Sequence, residues 1–148
     1  MKIVIQRVKE ANVKVENEIV GEIENGLLLL VGVSHDDDSE DVDYLARKVV
    51  NMRIFEDDNG KMNLSLLQKG YDILSISQFT LYGNPNNGNR PSFIDAARPE
   101  HAKALYDEFN EKLRKENIKV ETGKFGAMMD VLLVNDGPVT IIMDSKRR

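Results

Sequence analysis

The segment that most constrains the fold is an uninterrupted apolar run at residues 27–33. A strand with one solvated face alternates polar and apolar side chains, whereas this run has no alternation and so predicts a strand covered on both faces. Asn25-Gly26, directly before it, predicts a turn. We therefore expect a central strand with further elements packed on each side of its sheet.

Shorter strands and two helices are predicted around this central strand. The strand-like patterns occupy residues 3–8, 11–16, 19–23, 71–81, 128–134 and 139–143, with a further short strand at Val120. Apolar side chains at helical spacing after residue 41 and after Pro99 predict two principal helices, the second ending near Asn117. No repeat or linker interrupts the 148 residues, which predicts a single α/β domain of the mixed α+β kind over residues 1–148.

Composition narrows the class of protein. The absence of cysteine excludes a disulfide scaffold, a thiolate nucleophile and cysteine-containing zinc sites, and it fits a cytoplasmic location. The longest apolar run is too short to span a bilayer, and a charge comes too early for a signal peptide, so no membrane partner is expected. The net charge of -5 opposes bulk electrostatic binding of nucleic acid. We expect no DNA partner, and any RNA must be bound through contacts at one small site.

The charged clusters have structural explanations. Acidic residues 36–41 precede the first predicted helix, where negative charge is favoured, and they lack the spacing and distal glutamate of a calcium loop. Residues 57–60 end in Asn-Gly and predict a hairpin turn. The basic residues 146–148 predict a solvated tail. We therefore expect no metal ion and no cofactor.

Two segments stand where strand-like runs give way to polar and turn-forming residues. They are residues 77–81 and residues 135–140, and a long loop rich in turn residues follows the first. The chain has no Gly-rich phosphate loop and no nucleophile elbow, and its two histidines have no sequence-local partners. A hydroxyl without an adjacent base is a poor nucleophile. If the chain is an enzyme, its main-chain amides are therefore expected to do the work.

Several motifs occur in a fixed order and spacing along the chain. They are Ile5-Gln6-Arg7-Val8, Gly26-Leu27-Leu28, Arg53-Ile54-Phe55, Gly60-Lys61-Met62-Asn63, Ser77-Gln78-Phe79-Thr80-Leu81, Asn89-Arg90-Pro91-Ser92-Phe93, Ala104-Leu105-Tyr106 and Asn135-Asp136-Gly137-Pro138-Val139-Thr140. With these motifs the chain resembles D-aminoacyl-tRNA deacylase, the D-tyrosyl-tRNA deacylase family, over essentially its whole length. Each motif alone is weak, but the ordered set is specific.

The resemblance implies both a fold and an activity. The implied fold is a curved, largely antiparallel, barrel-like sheet with two principal helices. The implied activity is hydrolysis of the ester between a D-amino acid, or glycine, and the 3′-terminal ribose of tRNA, a chirality proofreading step in translation. The expected partners are D-aminoacyl-tRNA, glycyl-tRNA and a second copy of the chain, with active sites at the interface of the homodimer.

The resemblance also assigns the residues that reject L-amino acids. Gly137 and Pro138 of one subunit enter the site of the other, and in the family the bond between them is cis. Two neighbouring carbonyls at such a turn suit an α-ammonium group. With the ammonium and the ester carbonyl fixed, an L-side chain would run into the main chain, so selection is by steric exclusion.

The remaining site residues are assigned in the same way. The N–H groups of Phe79 and Thr80 are expected to stabilise the charge on the ester oxygen, Ser77 and Gln78 to shape the site, and the ribose 2′-hydroxyl to activate water. Thr80 as a covalent nucleophile is the competing hypothesis.

Other family positions surround this centre. Phe125 and Met129 correspond to positions around the terminal adenosine, although core packing accounts for Met129 equally well. Arg7 matches an arginine near the Gly-Pro turn, although a lone strand arginine is more often a surface group. Residues 90–93 are expected to order the long loop, and the role of Arg90 stays open.

Two functions from other classes compete with this one. A non-catalytic tRNA-binding module would bind tRNA with a strong salt dependence and cleave no ester. A small-molecule-binding dimer would recognise free D-amino acids and ignore tRNA.

Overall fold

Eight strands and three α-helices make up the fold in a computed structural model that describes residues 1–148. The strands are β1 (Lys2–Val15), β2 (Glu18–Ile23), β3 (Gly26–Gly32), β4 (Phe55–Glu56), β5 (Met62–Leu64), β6 (Asp72–Ser77), β7 (Val120–Thr122) and β8 (Asp130–Asp144). The α-helices are α1 (Ser39–Asn51), α2 (Leu66–Lys69) and α3 (Pro99–Arg114), and short 3₁₀ helices occupy Phe79–Tyr82 and Ser145–Arg147. No helix is long and apolar enough to cross a membrane.

The main sheet curves until its two ends nearly meet. Its strand order is β2-β1-β3-β6-β7, and β8 pairs with β1 on the other side. Gly21 of β2 lies so close to β7 that a Cβ there would stand 2.6 Å from the carbonyl oxygen of Thr122. The predicted barrel-like curvature is therefore confirmed. The pairings of β1 with β2, β3 and β8 are antiparallel, and those of β6 with β3 and β7 are parallel.

The predicted central strand is confirmed as β3. Leu27 and Leu29 belong to a core cluster that α1 and α3 help to form, whereas Leu28 belongs to a second cluster with Leu74 and Ile76 of β6. Because successive side chains of a strand point to opposite faces, β3 is buried on both. The apolar run at residues 27–33 thus separates two cores.

Three predictions of strand boundaries are wrong. Residues 3–8 and 11–16 were expected to form separate strands, and so were residues 128–134 and 139–143, but each pair merges into one long strand, β1 and β8. The strand predicted over residues 71–81 ends at Ser77 and turns into a 3₁₀ helix. The turn occurs where the neighbouring strand β3 also ends, at Gly32, and the side chain of Leu81 packs where a Cβ of Gly32 would stand.

The acidic segment caps α1, as its position predicted. Asp38 is the N-cap, and its side chain accepts a hydrogen bond from the main-chain N–H of Glu40. The Asp38 N–H in turn donates to Asp41 Oδ2 at 2.9 Å. The basic tail is exposed, as predicted, but Lys146 is also held in place, since its Nζ lies 3.0 Å from Asp41 Oδ2. Burial would raise the pKa of Asp41, but hydrogen bonds from Ser145, Asp38 and Lys146 outweigh it and hold the pKa below its ordinary value of 3.8.

Replacing Asp41 by asparagine is expected to lower the free energy of unfolding at pH 7 by about 1–3 kcal/mol, because a buried, hydrogen-bonded charge is lost. A carboxylate whose pKa is depressed by folding contributes stability above its unfolded pKa, and that contribution disappears as the pH falls through the folded pKa. Denaturant unfolding of the wild type and of Asp41→Asn should therefore converge as the pH falls below 3.8. The exposed Asp58→Asn is the matched control, with no such convergence. An equal gap at pH 7 and pH 3 would contradict the assignment.

Candidate functional site

The first candidate segment begins where β6 ends. The Gln78 N–H makes the last bond to β3, donating to the Val31 carbonyl at 2.8 Å. The chain then enters the 3₁₀ helix, whose first N–H groups belong to Phe79 and Thr80. A helix supplies no acceptor to its first N–H groups, and neither the turns nor the side chains provide one here. Two adjacent main-chain donors therefore remain available to a ligand.

Contacts with β1 and β3 hold the 3₁₀ helix in place. Leu81 packs on Gly32, and the Lys2 ammonium lies over the Tyr82 ring, 4.7 Å from its centroid. Burial, together with the charge of Asp37, raises the pKa of Tyr82, so its hydroxyl remains protonated. The donors at the start of the helix are thus fixed before any ligand arrives.

The side chains of Phe79 and Thr80 are exposed, those of Ser77 and Gln78 are half-buried, and none of the four is a general base. Phe79 is 56% exposed and meets Phe93 edge to face at 5.3 Å between ring centroids. The Gln78 amide donates to the Thr80 hydroxyl. The two histidines are engaged elsewhere, since His35 pairs with Asp36 and His101 with the Asp37 carbonyl. The Thr80 hydroxyl therefore has a hydrogen-bond donor beside it rather than a group that would remove its proton.

The long loop after the 3₁₀ helix is closed by its own main chain. Asn84 and Ser92 exchange two N–H···O bonds of 2.8 and 2.9 Å, and Phe93 packs against Gly83. These contacts tie residues 92 and 93 to the segment that carries Phe79. Arg90 is exposed and makes no ion pair or hydrogen bond within the chain, so the structure gives it no role.

The second candidate segment is a bulge in β8. Gln6 of β1 pairs with Thr140 and Val8 pairs with Asn135, so Arg7 alone faces residues 136–139. Such an insertion bends a strand and lifts the extra residues out of the ladder. Gly137 and Pro138, which are joined by a cis peptide bond, lie exposed in this bulge.

Arg7 supports the bulge from inside the protein. Only 5% of the residue is exposed, which differs from the surface position that a lone strand arginine favours. Its Nη1 donates to the Ile54 carbonyl at 2.7 Å, and its Nε lies 3.3 Å from both the carbonyl oxygen and the carboxylate of Asp136. Sequence reasoning missed Asp136 and Ile54 as partners, because a carbonyl acceptor leaves no mark in the sequence.

Gly137 has no room for a side chain. Its φ is +122°, and a Cβ would lie 2.9 Å from Val139 Cγ2 and 3.0 Å from Arg7 Nη2. Glycine is the residue that adopts this backbone angle without cost. The bulge therefore depends on glycine at this position.

The two candidate segments lie far apart within one chain. In the register of the sheet the bulge lies beside Arg7 of β1, whereas Gln78 lies at the height of Lys2 of the same strand. The two positions are five residues apart along β1, which is about 17 Å. The segments are also separated by three strand spacings, β8 to β1, β1 to β3 and β3 to β6, which add about 14 Å sideways. The combined separation of about 20 Å exceeds the size of an amino-acid ester.

Phe125 and Met129 lie in the segment that follows β7. Because β6 and β7 are parallel, their carboxyl ends share one edge of the sheet, and Phe125 is near the same edge as Phe79. The Phe125 ring is half-buried, 6.1 Å from the Tyr106 ring. Met129 packs against the second core cluster, with its sulfur beside Gly123. Core packing is therefore a real role of Met129.

A groove of about 490 Å³ opens beside Phe125, between α3 and the residues after β7. Its lining includes the aromatic rings of Tyr106 and Phe125, the cationic Lys103, Arg114 and Lys124, and the carboxylates of Asp107 and Glu111, which pair with Lys103 and Arg114. Aromatic rings beside cationic side chains are chemically suited to a nucleobase and its phosphate. No cluster of carboxylates or imidazoles suitable for a metal ion occurs in the chain.

Comparison with known proteins identifies relatives over almost the whole chain. The family model for D-Tyr-tRNA(Tyr) deacylase matches residues 4–144. A D-aminoacyl-tRNA deacylase of Anoxybacillus flavithermus is 60% identical over 146 residues, 99% of this chain and 100% of the relative. Another of that name from Brevibacillus brevis is 58% identical over 145 residues, 98% of this chain and 100% of the relative.

Two solved structures share the fold. The c-Myc DNA Unwinding Element Binding Protein superposes with a TM-score of 0.91 at 42% identity, covering 97% of this chain and 98% of that one. A probable eukaryotic D-amino acid tRNA deacylase superposes with a TM-score of 0.83 at 19% identity, covering 96% of this chain and 97% of that one. At that identity the second likeness concerns the fold alone.

Proposed function

The chain belongs to the D-Tyr-tRNA(Tyr) deacylase family, and on that premise we propose that it removes D-amino acids from tRNA in a site shared by two subunits. The activity itself, that of a D-aminoacyl-tRNA deacylase acting on an ester bond, is supported by relatives of 58–60% identity over the whole chain. The substrate is the ester between the amino acid and the 3′-terminal ribose.

The shared site is inferred from the separation of about 20 Å between the bulge and the 3₁₀ helix, which follows from the strand register. One small substrate cannot contact both within a single chain. If both act on it, they must come from different copies of the chain.

An apolar strip between the two segments supports this dimer. Ile142 of β8 is 73% exposed and pairs with Val4 of β1, which pairs with Leu30 of β3, and the latter two are only half-buried. Directly paired residues share a face of the sheet, so the three form one row. A twofold axis through this row would bring the bulge of each subunit to the 3₁₀ helix of its partner, since a twofold axis exchanges the two ends of an interface.

Stabilisation of the ester oxygen is assigned to the free N–H groups of Phe79 and Thr80. Negative charge develops on that oxygen in the transition state, and fixed main-chain donors stabilise it without reorganisation. Each such donor is typically worth about 10²–10³ in rate. Gln78 and Ser77 shape the wall beside these donors.

Chiral selection is assigned to the carbonyls of Gly137 and Pro138. They accept hydrogen bonds from the substrate ammonium, while the N–H groups of Phe79 and Thr80 hold the ester carbonyl, so two of the substituents on Cα are fixed. A D-side chain then points outward, whereas an L-side chain meets the main chain of the bulge. Because no side-chain pocket takes part, many D-amino acids fit, and so does glycine, which has nothing to exclude.

Activation of water is assigned to the 2′-hydroxyl of the terminal ribose. The chain provides no base near the donors, and the Thr80 hydroxyl accepts a bond from Gln78. That contact gives no support to a Thr80 nucleophile, which would need its proton removed. The terminal adenosine is assigned to Phe125 and Met129, with the adjacent groove receiving the base.

The alternatives fit the chain less well. The name of one structural relative refers to DNA binding, but a net charge of -5 opposes the many phosphate contacts that duplex binding requires. A non-catalytic tRNA-binding module or a small-molecule-binding dimer has no counterpart among the relatives of 58–60% identity, which are named D-aminoacyl-tRNA deacylases.

Incubation with D-tyrosyl-tRNA, L-tyrosyl-tRNA and glycyl-tRNA tests the activity. Release of the amino acid is expected from the D-form and from glycyl-tRNA, with the L-form intact, and it can be followed with radiolabelled amino acid. Equal cleavage of the D- and L-forms would refute steric exclusion. Cleavage of none, with tRNA bound, would favour the non-catalytic module.

Thr80 distinguishes a main-chain donor from a nucleophilic side chain. Thr80→Ala keeps the N–H and should retain activity within about tenfold, whereas Thr80→Pro removes the N–H and should lose about 10²–10³ in kcat. The helix itself does not use this N–H, and circular dichroism checks that the variant keeps its fold despite the restraint that proline places on Phe79. Complete inactivity of a folded Thr80→Ala would instead establish the nucleophile.

Mixing two inactive variants tests whether the site is shared. Gly137→Ala should be inactive because the added methyl meets Val139 and Arg7 in a strained backbone, and Thr80→Pro lacks a donor. In a mixed dimer one site takes Thr80 from the first variant and Gly137 from the second, so it is intact. Random mixing should restore about a quarter of the wild-type sites, since half the dimers are mixed and half their sites intact. No recovery in verified mixed dimers would mean that each site lies within one subunit.

A further inference from the structure

The bulge in β8 leaves main-chain groups without ladder partners. Arg7 stands opposite four residues, so neither its carbonyl nor that of Val139 faces a matching N–H across the strands. Unpaired carbonyls in the interior of a sheet cost stability unless another donor reaches them. The donor that reaches both is a single side chain.

Asn135 closes the bulge with its side-chain amide. Its Nδ2 donates to the Arg7 carbonyl at 3.0 Å and to the Val139 carbonyl at 3.0 Å. Its Oδ1 lies 3.5 Å from the Thr140 hydroxyl, which in turn accepts from Gln6 at 3.3 Å. The Asn135 amide therefore links β1 to Val139, at the end of the bulge, and its own orientation is fixed by Thr140 and Gln6.

Arg7 and Asn135 divide the support between the two ends of the bulge. The Arg7 guanidinium reaches Asp136, before Gly137, and the Asn135 amide reaches Val139, after Pro138. With both ends held, the two residues between them have little freedom to shift. A displacement of about 1 Å at a reacting centre can cost a hundredfold in rate, so this support bears on function.

We propose that Asn135 is a positioning residue for chiral selection, which holds the carbonyls of Gly137 and Pro138 where they meet the substrate ammonium. This rests on the proposed function of those two carbonyls. Asparagine suits the position because only an uncharged amide offers two donors to two carbonyls on a side chain this short. Aspartate would set a carboxylate against both carbonyl oxygens, and alanine would leave both unpaired.

The test compares Asn135→Ala and Asn135→Asp with the wild type on D- and L-tyrosyl-tRNA. The matched control is Asn51→Ala, which also removes an amide that donates to a carbonyl, that of Arg47 at 2.9 Å, but in α1. Folding and dimerisation are checked by circular dichroism and analytical ultracentrifugation. The quantity measured is the ratio of kcat/KM for the D-ester to that for the L-ester.

Both Asn135 variants are expected to lower this ratio by about tenfold or more, because the carbonyls move away from the position that excludes the L-side chain. The control should keep the wild-type ratio. A purely structural role would lower the amount of folded protein and leave the ratio unchanged, and that result in folded dimers overturns the proposal. If neither variant folds, Asn135→Gln decides, since it keeps an amide but displaces it by one methylene, and an unchanged ratio there also overturns the proposal.

Failure of this inference is distinguishable from failure of the proposed function. If the wild type does not discriminate between the two esters, the function of Gly137 and Pro138 is wrong. If the wild type discriminates and the folded Asn135 variants do so equally well, only the role of Asn135 is wrong.

Discussion

The pairing of β1 with β8 is the constraint on which the rest of the structure depends. These two long strands run antiparallel along almost their whole length, and their register shifts at two neighbouring places, opposite Arg7 and between Val8 and Glu10. The shift opposite Arg7 creates the bulge that exposes Gly137 and Pro138, while the regular ladder on either side fixes its place on the sheet. β1 also pairs with β3, and β3 pairs with β6, so the same register sets the distance to the 3₁₀ helix. The need for a second subunit in the proposed site therefore follows from hydrogen-bond register.

A site made of main-chain groups explains why the sequence contains no familiar catalytic signature. The proposed donors are the N–H groups of Phe79 and Thr80, and the proposed acceptors are the carbonyls of Gly137 and Pro138. Main-chain groups do not titrate near neutral pH, and they are held by the surrounding ladder rather than by rotamer choice. Such a site can be rigid enough to exclude a single stereoisomer, because moving it would require moving a strand. In the proposed site the important side chains are therefore those that hold the main chain, such as Arg7 and Asn135.

The parts of the fold that were predictable from the sequence are those governed by local pattern. The apolar run gave β3, the helical spacing after residue 41 gave α1, and Pro99 marked the start of α3. Residues 77–81 and 135–140 were recognisable as motifs, but their geometry was not, since the turn after β6 packs against Gly32 of another strand. The burial of Arg7 and the contact of Lys146 with Asp41 were also hidden, because both depend on partners more than forty residues away. The sequence indicates which residues matter locally, and long-range pairing decides what they touch.

An acidic chain can act on tRNA if it grips only the end of the molecule. In the groove beside Phe125, Arg114 and Lys103 are already paired with Glu111 and Asp107, at 2.7 and 2.6 Å, so their charge is largely neutralised. Attraction to a long stretch of phosphates is then weak, and under the proposed function the selectivity comes from base stacking and from the fixed ester. All tRNAs share their terminal nucleotides, whereas the chirality of the attached residue is what proofreading must read. A site that makes no contact with the body of the tRNA and recognises only the configuration at the Cα of the attached residue is therefore consistent with the net charge of the protein.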